Sequence, residues 1–356
     1  NMRLAFRVVV DSRDKRTEFT PQFVKDAGAK GFMNKGKWSP YSDDPVFQKY
    51  YTKFVKALAK DFNDPSKVEF IDGFGLGKWG EYHTMIYSTG DDTPKKAVFD
   101  WVTDIYSQAF DKVPVVINYH RWIGAGKDWV DDEHFAADSE EMLEEAIKKG
   151  YSLRHDAFGM TTYYGSWERR FAKKYRNICP IIMEGGWIVK SHSYWQDPRG
   201  YRKDSHEDVR RGEFDDSKEA HVNMMDFRFG DTESWFKDAF DLVRRFLREG
   251  GYRLYPSEIS LPLEVSKKTT PTIKHCWNNL GWGYCPTNIP QWNQKYKVAF
   301  ALLDSETNEV RYTFVDTDTD LSKWIKGSPA EYVFEPDMSK VETGTYVWAV
   351  GLVDRS

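Results

Sequence analysis

Two glutamates stand out by what precedes and follows them. Glu81 closes the stretch Phe74-Gly-Leu-Gly-Lys-Trp-Gly-Glu81, and Glu184 closes Cys179-Pro-Ile-Ile-Met-Glu184 before two glycines and Trp187. A carboxylate at the end of an apolar, strand-like run that then breaks at glycine sits at the mouth of a fold, where a ligand reaches it. Hydrolysis of a glycosidic bond with retention needs such a pair. One carboxyl is held protonated to assist departure, and a second, ionised and about 5 Å away, attacks the anomeric carbon. Most glutamates are surface or capping residues, but the apolar run before Glu184 and the glycines after it exclude a solvated helix face.

Other residues fall near the same strand ends. Arg7 lies in the first strand, Asn118 and His120 end a later one, and Arg154, His155 and Asp156 occupy the next. With Tyr163 and Trp187 they are candidates to contact sugar hydroxyls or to tune the two carboxylates. Tyr163 and Tyr164 are candidates either to donate to Glu184 or to pack under the insertion, and His83 either to hold Glu81 or to pack near it. A long insertion, 188–229, carries Trp195, Tyr201, His206 and His221 and is expected to wall the pocket. Its histidines lack the carboxylate and cysteine arrangement of a metal site, so no metal or cofactor is expected.

The elements that must position these residues alternate. An apolar run over 2–10 reads as a buried parallel strand. Asp44-Pro45 then supplies an N-cap and first-turn proline for a helix with the stripe Phe47, Tyr51, Phe54, Val55, Leu58 and Phe62. Strands follow at 68–72, 113–120, 153–158 and 179–184, with helices between them and a last strand expected near 252–260. Alternation of this kind argues for βα units and a parallel sheet. Glu81 and Glu184 are about 100 residues apart, three units of the roughly 30 residues that a (β/α)8 barrel spends on each. No Gly-x-Gly-x-x-Gly turn favours a doubly wound sheet.

The expected fold is therefore α/β, a (β/α)8 TIM barrel over 1–262, followed by a small antiparallel β-sandwich over 263–356. About six strands are visible, two short of closure. The remainder lies either before Asn1 or within the connection 11–44, and the first is favoured. The chain begins without an initiator Met or signal peptide, as a processed product does.

Composition bounds the function. The 356 residues are 40% hydrophobic, enough for a sizeable core, and carry a net charge of -4 with no basic stripe, so no nucleic-acid partner is expected. No run reaches the roughly 20 apolar residues of a membrane span. Aromatic residues make up 16%, with 14 Trp and 20 Tyr, and rings of this kind stack on sugar C–H faces. Cys276 and Cys285 flank the loop Trp277 to Tyr284 and either pair as a disulfide or stay reduced, while Cys179 is odd.

Taken together, these residues resemble the clan A glycoside hydrolases, whose barrels carry the acid/base glutamate after the fourth strand and the nucleophile after the seventh. Trp79-Gly80-Glu81-Tyr82-His83 and the Asp43-Asp44-Pro45 helix start look like bacterial barrel proteins related to β-galactosidases of that clan. The resemblance covers 2–260 and implies a glycoside hydrolase in which Glu184 attacks and Glu81 is acid, then base. It implies a β-linked carbohydrate substrate, galactose-containing glycans among the candidates, and a secreted or periplasmic location. Many members place Asn immediately before the acid/base, where this chain has Gly80. Either another group, such as Asn118 or His120, takes over its contact, or the substrate presents a modified sugar. The alternative is a carbohydrate-binding barrel without catalysis, and an inverting hydrolase would differ in a wider carboxyl separation.

Overall fold

The structure is a computed structural model that describes residues 2–13, 17–126, 133–160, 163–185, 206–227, 232–266 and 268–355. Its centre is a six-stranded parallel sheet, built from β1 (Leu4–Arg7), β4 (Val68–Asp72), β5 (Val115–Asn118), β6 (Ser152–Phe158), β7 (Ile181–Gly185) and β8 (Met224–Asp226) in that spatial order. Helices α2 (Pro45–Phe62), α3 (Lys95–Ala109), α4 (Glu133–Lys148), α5 (Ser166–Tyr175) and α6 (His206–Glu219) connect them. Every strand order step is between consecutive βα units, as a barrel requires.

Alternation along the strands divides the sheet into two faces. Ile71, Val115, Ile117, Leu153, Ile181 and Met183 point to the helices and join the main core with Val55, Val98, Phe99 and Val102. Each such side chain contributes about 2 kcal/mol by leaving water. On the other face Phe70, Val116, Ile182 and Met224 form a small apolar cluster. Two residues further along the same strands, on that same face, stand Asp72, Asn118, Glu184 and Asp226.

Four strand spacings separate β1 from β7, about 19 Å in a flat sheet. Arg7 of β1 nevertheless lies 3.6 Å from Glu184 of β7. The sheet is curled, and its concave face is the one that carries the charges.

Among the described residues the sheet is an open one of six strands, with β1 and β8 at its edges. Two sequence expectations about its strands need correction. The sixth strand is Met224–Asp226, inside the expected insertion. Its three residues, two of them Met, carry no alternation to read. The expected last strand, observed as β9 (Leu254–Ser260), pairs antiparallel with β10 (Ile273–Asn279) and stays out of the parallel sheet. The connection 11–44 holds α1 (Gln22–Asp26) and a hairpin of β2 (Gly31–Asn34) and β3 (Lys37–Pro40), which forms its own two-stranded sheet.

The remaining chain forms two three-stranded antiparallel sheets. One has the order β13 (Ala330–Phe334), β10, β9, and the other β12 (Val310–Asp316), β11 (Tyr296–Asp304), β14 (Tyr346–Asp354). Ile273 and Trp277 from one and Val298 and Phe300 from the other meet in one apolar cluster with Trp324. Between β8 and these sheets lie two helices, α7 (Thr232–Asp238) and α8 (Phe240–Glu249), separated at Ala239. Cys179, Cys276 and Cys285 are all unpaired thiols.

Asp44 caps α2 as expected, its Oδ1 accepting from Val46 N at 3.0 Å and Phe47 N at 2.9 Å. Asp44→Ala is expected to lower unfolding free energy by about 1 kcal/mol in chemical denaturation.

Candidate functional site

The site is assembled around one guanidinium. Arg7 Nε donates to Asp72 Oδ2 at 2.7 Å, Nη1 to Glu81 Oε1 at 2.5 Å, and Nη2 faces Glu184 Oε2 at 3.6 Å. Arg154 completes a ring, bonding Asp72 Oδ2 at 3.0 Å through Nη1 and pairing with Glu184 through Nη2. Two arginines and three carboxylates from β1, β4, the loop after β4, β6 and β7 thus share one buried network. Glu81 is 6% exposed and Glu184 4%. Burial opposes the charge on Arg7, yet Asp72 and Glu81 more than offset it and hold the guanidinium protonated. At Asp72 burial prevails over the pull of Arg7 and raises its carboxyl above the ordinary range.

Glu81 reaches this ring on a loop of unusual backbone. Gly75, Gly77 and Gly80 have positive φ, and so do Trp79 (57°), Tyr82 (60°) and Thr84 (50°). The loop is pinned by Lys78 N to His83 O at 3.1 Å, Tyr82 N to Leu76 O at 3.0 Å, and Arg7 Nη1 to Trp79 O at 3.3 Å. Non-glycine residues in this region cost of order 1–2 kcal/mol each, and such strain persists only where the surroundings over-determine it. Gly80 has φ +77°, and a Cβ there would meet Val8 O at 2.9 Å and Arg7 Cδ at 3.0 Å. That contact explains why the position before this glutamate is glycine rather than asparagine.

A second group faces Glu81 from its other side. His83 Nε2 lies 3.4 Å from Glu81 Oε2, and its Nδ1 is 3.0 Å from Thr84 Oγ1. Asp156 is hydrogen-bonded to the Glu81 carboxyl, and Glu81, His83 and Asp156 bring ligand-type atoms within 4.8 Å of one another, a set that could hold a cation. A register irregularity between β6 and β7 over His155 to Phe158 falls at Asp156. Burial first, then the Asp156 charge, pushes the Glu81 carboxyl up to about 7, against the pull of Arg7 and His83. Burial opposes ionisation of Asp156 as well, but the Glu81 hydrogen bond and the neighbouring histidines hold it below the usual carboxylate range. Of the two carboxyls, Glu81 keeps the proton.

His120 supports the same loop. Its Nδ1 accepts the Trp122 N–H at 3.1 Å, which leaves Nε2 to donate to Glu81 O at 3.1 Å. It holds the backbone of Glu81 rather than its carboxyl. Asn118, 3% exposed on the concave face, has neither amide atom hydrogen-bonded. His155 points to the helix side among Tyr119, Phe158 and Tyr164, where burial lowers it to about 3 and keeps it neutral. The Tyr164 hydroxyl pairs with that of Tyr119 at 3.0 Å and not with Glu184. Tyr163 is half-buried in the turn after β6. Trp187, Trp195 and Tyr201 lie outside the described residues.

The structure therefore brings together Arg7, Glu81, Glu184, Arg154 and Asp156 as sequence candidates, with His83 and His120 behind Glu81. Asp72 is the residue that sequence reading missed. Its signal was an acidic side chain ending an apolar strand in phase with Phe70, on a face where only a cation partner makes burial tolerable.

No family model matches the chain, and no curated protein matches its sequence. Among solved structures it is similar to endo-glycoceramidase II from Rhodococcus sp. as its lactosyl-enzyme intermediate, at 13% identity over 93% of this chain and 79% of that one, with a TM-score of 0.35. It is also similar to BuGH86 in complex with neoagarooctaose, at 9% identity over 87% of this chain, spanning 57% of that chain, with a TM-score of 0.33. Likeness at this level leaves the chemistry to be read from the chain's own residues.

Gly80→Asn is expected to cost about 1–2 kcal/mol in denaturation and to displace Arg7. An unchanged midpoint would show that the loop tolerates a side chain there.

Proposed function

We propose that this chain is a retaining glycoside hydrolase of the clan A type, acting on a β-linked oligosaccharide or polysaccharide. The observation that carries the reading is the pair of buried carboxyls, Glu81 and Glu184, that meet on one arginine fork. Glu81 is the general acid, donating to the departing oxygen and then activating water as base. Glu184 is the nucleophile, and the two guanidiniums beside it compensate the negative charge that an attacking carboxylate carries. Asn118, with its amide unsatisfied on the concave face, supplies donors and an acceptor for a sugar hydroxyl. Arg7 and Arg154 are positioning residues.

On this reading the curled six-stranded sheet is part of a (β/α)8 barrel, with its site at the C-terminal ends of the strands. The two antiparallel sheets around their shared cluster form a sandwich. Galactose-containing glycans are the substrates of choice for a first screen, and a secreted or periplasmic location follows from that substrate class.

An activated glycoside fluorinated beside the anomeric carbon is expected to leave its sugar covalently on Glu184, seen as a mass increase in the peptide containing that residue. Glu184→Ala is expected to lose turnover on the order of a thousandfold or more. Absence of an adduct together with retained turnover in Glu184→Ala rejects the mechanism.

The pH dependence has a defined sign. The general acid must be protonated, so kcat/KM is expected to fall as pH rises through about 7, the value to which Glu81 is pushed. Asp156→Asn removes a like charge, which lowers the Glu81 pKa and moves this alkaline limb to lower pH. A limb that stays in place would separate Asp156 from the proton on Glu81.

A further inference from the structure

Trp79 is unaccounted for by the chemistry above. It is 42% exposed, the most exposed tryptophan among the described residues, whereas Trp38, Trp122, Trp167, Trp235, Trp277, Trp282 and Trp324 are buried. It pays for that position with a left-handed backbone, φ 57°, in the short turn Lys78–Gly80 directly before Glu81. Its carbonyl is held by the same Arg7 nitrogen that bonds Glu81, and its ring stands edge-on to His83, 5.7 Å between centroids. The indole is thus tied to the proton donor at both its backbone and its ring, although it adds nothing to the core.

We infer that the Trp79 indole is a stacking platform for the pyranose ring on the leaving-group side of the scissile bond. This rests on the reading of Glu81 as the general acid. The acid meets the oxygen of the departing sugar, so an exposed ring two residues before it and sharing its histidine lies where that sugar must pass. The Lys78 ammonium already sits over the indole at 4.2 Å from a ring centroid. A ring face that attracts a cation also attracts the positively polarised C–H bonds of a pyranose, through the same negative π-face. Lys78 then supplies a donor for a hydroxyl at the edge of that sugar.

The surroundings select a sugar over a lipid chain as the departing group. A lipid requires a contiguous apolar surface, and Trp79 is flanked by Lys78, His83 and Arg7. One aromatic face rimmed by donors is the pattern that binds a ring with an apolar face and a hydroxylated edge.

The test compares Trp79→Ala and Trp79→Phe with the wild type, using cellotetraose, laminaritetraose and galactotetraose and the corresponding glycosyl fluorides. On the tetraose that is cleaved, Trp79→Ala is expected to lose about tenfold or more in kcat/KM, with less than a threefold loss on the fluoride, which has no leaving-group sugar. Trp79→Phe is expected to recover most of the tetraose activity. Equal losses on both substrates would assign Trp79 a structural role, and no loss on either would remove it from the site; each overturns the platform. Calorimetric binding of the same tetraoses separates this from the hydrolase reading. Binding without cleavage that Trp79→Ala weakens about tenfold keeps the platform while hydrolysis fails, and binding that Trp79→Ala leaves unaltered, or no binding at all, overturns it.

Discussion

The fork of Arg7 is the interaction on which the site depends. One planar cation meets Asp72, Glu81 and Glu184, which come from three places along the chain. Its five fixed donors suit this role in a way that a lysine ammonium does not, because each edge can address a different carboxyl. Burying five ionisable groups is unfavourable unless each is paired, and deleting one member of such a network typically costs about 3–5 kcal/mol. The curl of the sheet brings β1 to β7 and so closes the ring.

The acid loop shows a second constraint. Glu81 must leave the strand, turn over the mouth of the sheet and present its carboxyl to Arg7, Asp156 and His83. A chain that does this within a few residues needs several left-handed conformations, which glycine takes at Gly75, Gly77 and Gly80 and which Trp79, Tyr82 and Thr84 take under restraint. Tyr82 repays part of the cost by packing its ring against Phe74 and donating its hydroxyl to Lys95 O at 2.8 Å. Strain and packing here serve the placement of one proton.

The antiparallel part is organised by its own buried polar contacts. His275 Nδ1 accepts from Trp277 Nε1 at 2.8 Å, and Nε2 donates to Asp316 at 3.0 Å, so a Trp-His-Asp chain crosses from β10 to β12. Trp282 packs instead with Phe214 and Phe246, and donates to Val222 O at 2.9 Å. It belongs to the main core, and it ties the segment after β10 to the base of β8.

Much of this was legible in the sequence because it depends on local periodicity. The strands that are buried on both faces read as apolar runs, the stripe on α2 follows helical spacing, and Glu184 ends its run in the phase that turns it to the concave side. Those features need only neighbouring residues to express themselves. Met224–Asp226 was too short to carry a period, and Leu254–Ser260 has the same local character whether its partner is parallel or antiparallel. Which glutamate keeps the proton, which carboxylate joins Arg7 to Arg154, and why Gly80 stands before Glu81 were decided by tertiary structure alone. Each depends on the burial and charge of groups far apart in the chain, and those acquire a value only when the sheet curls and removes the water between them.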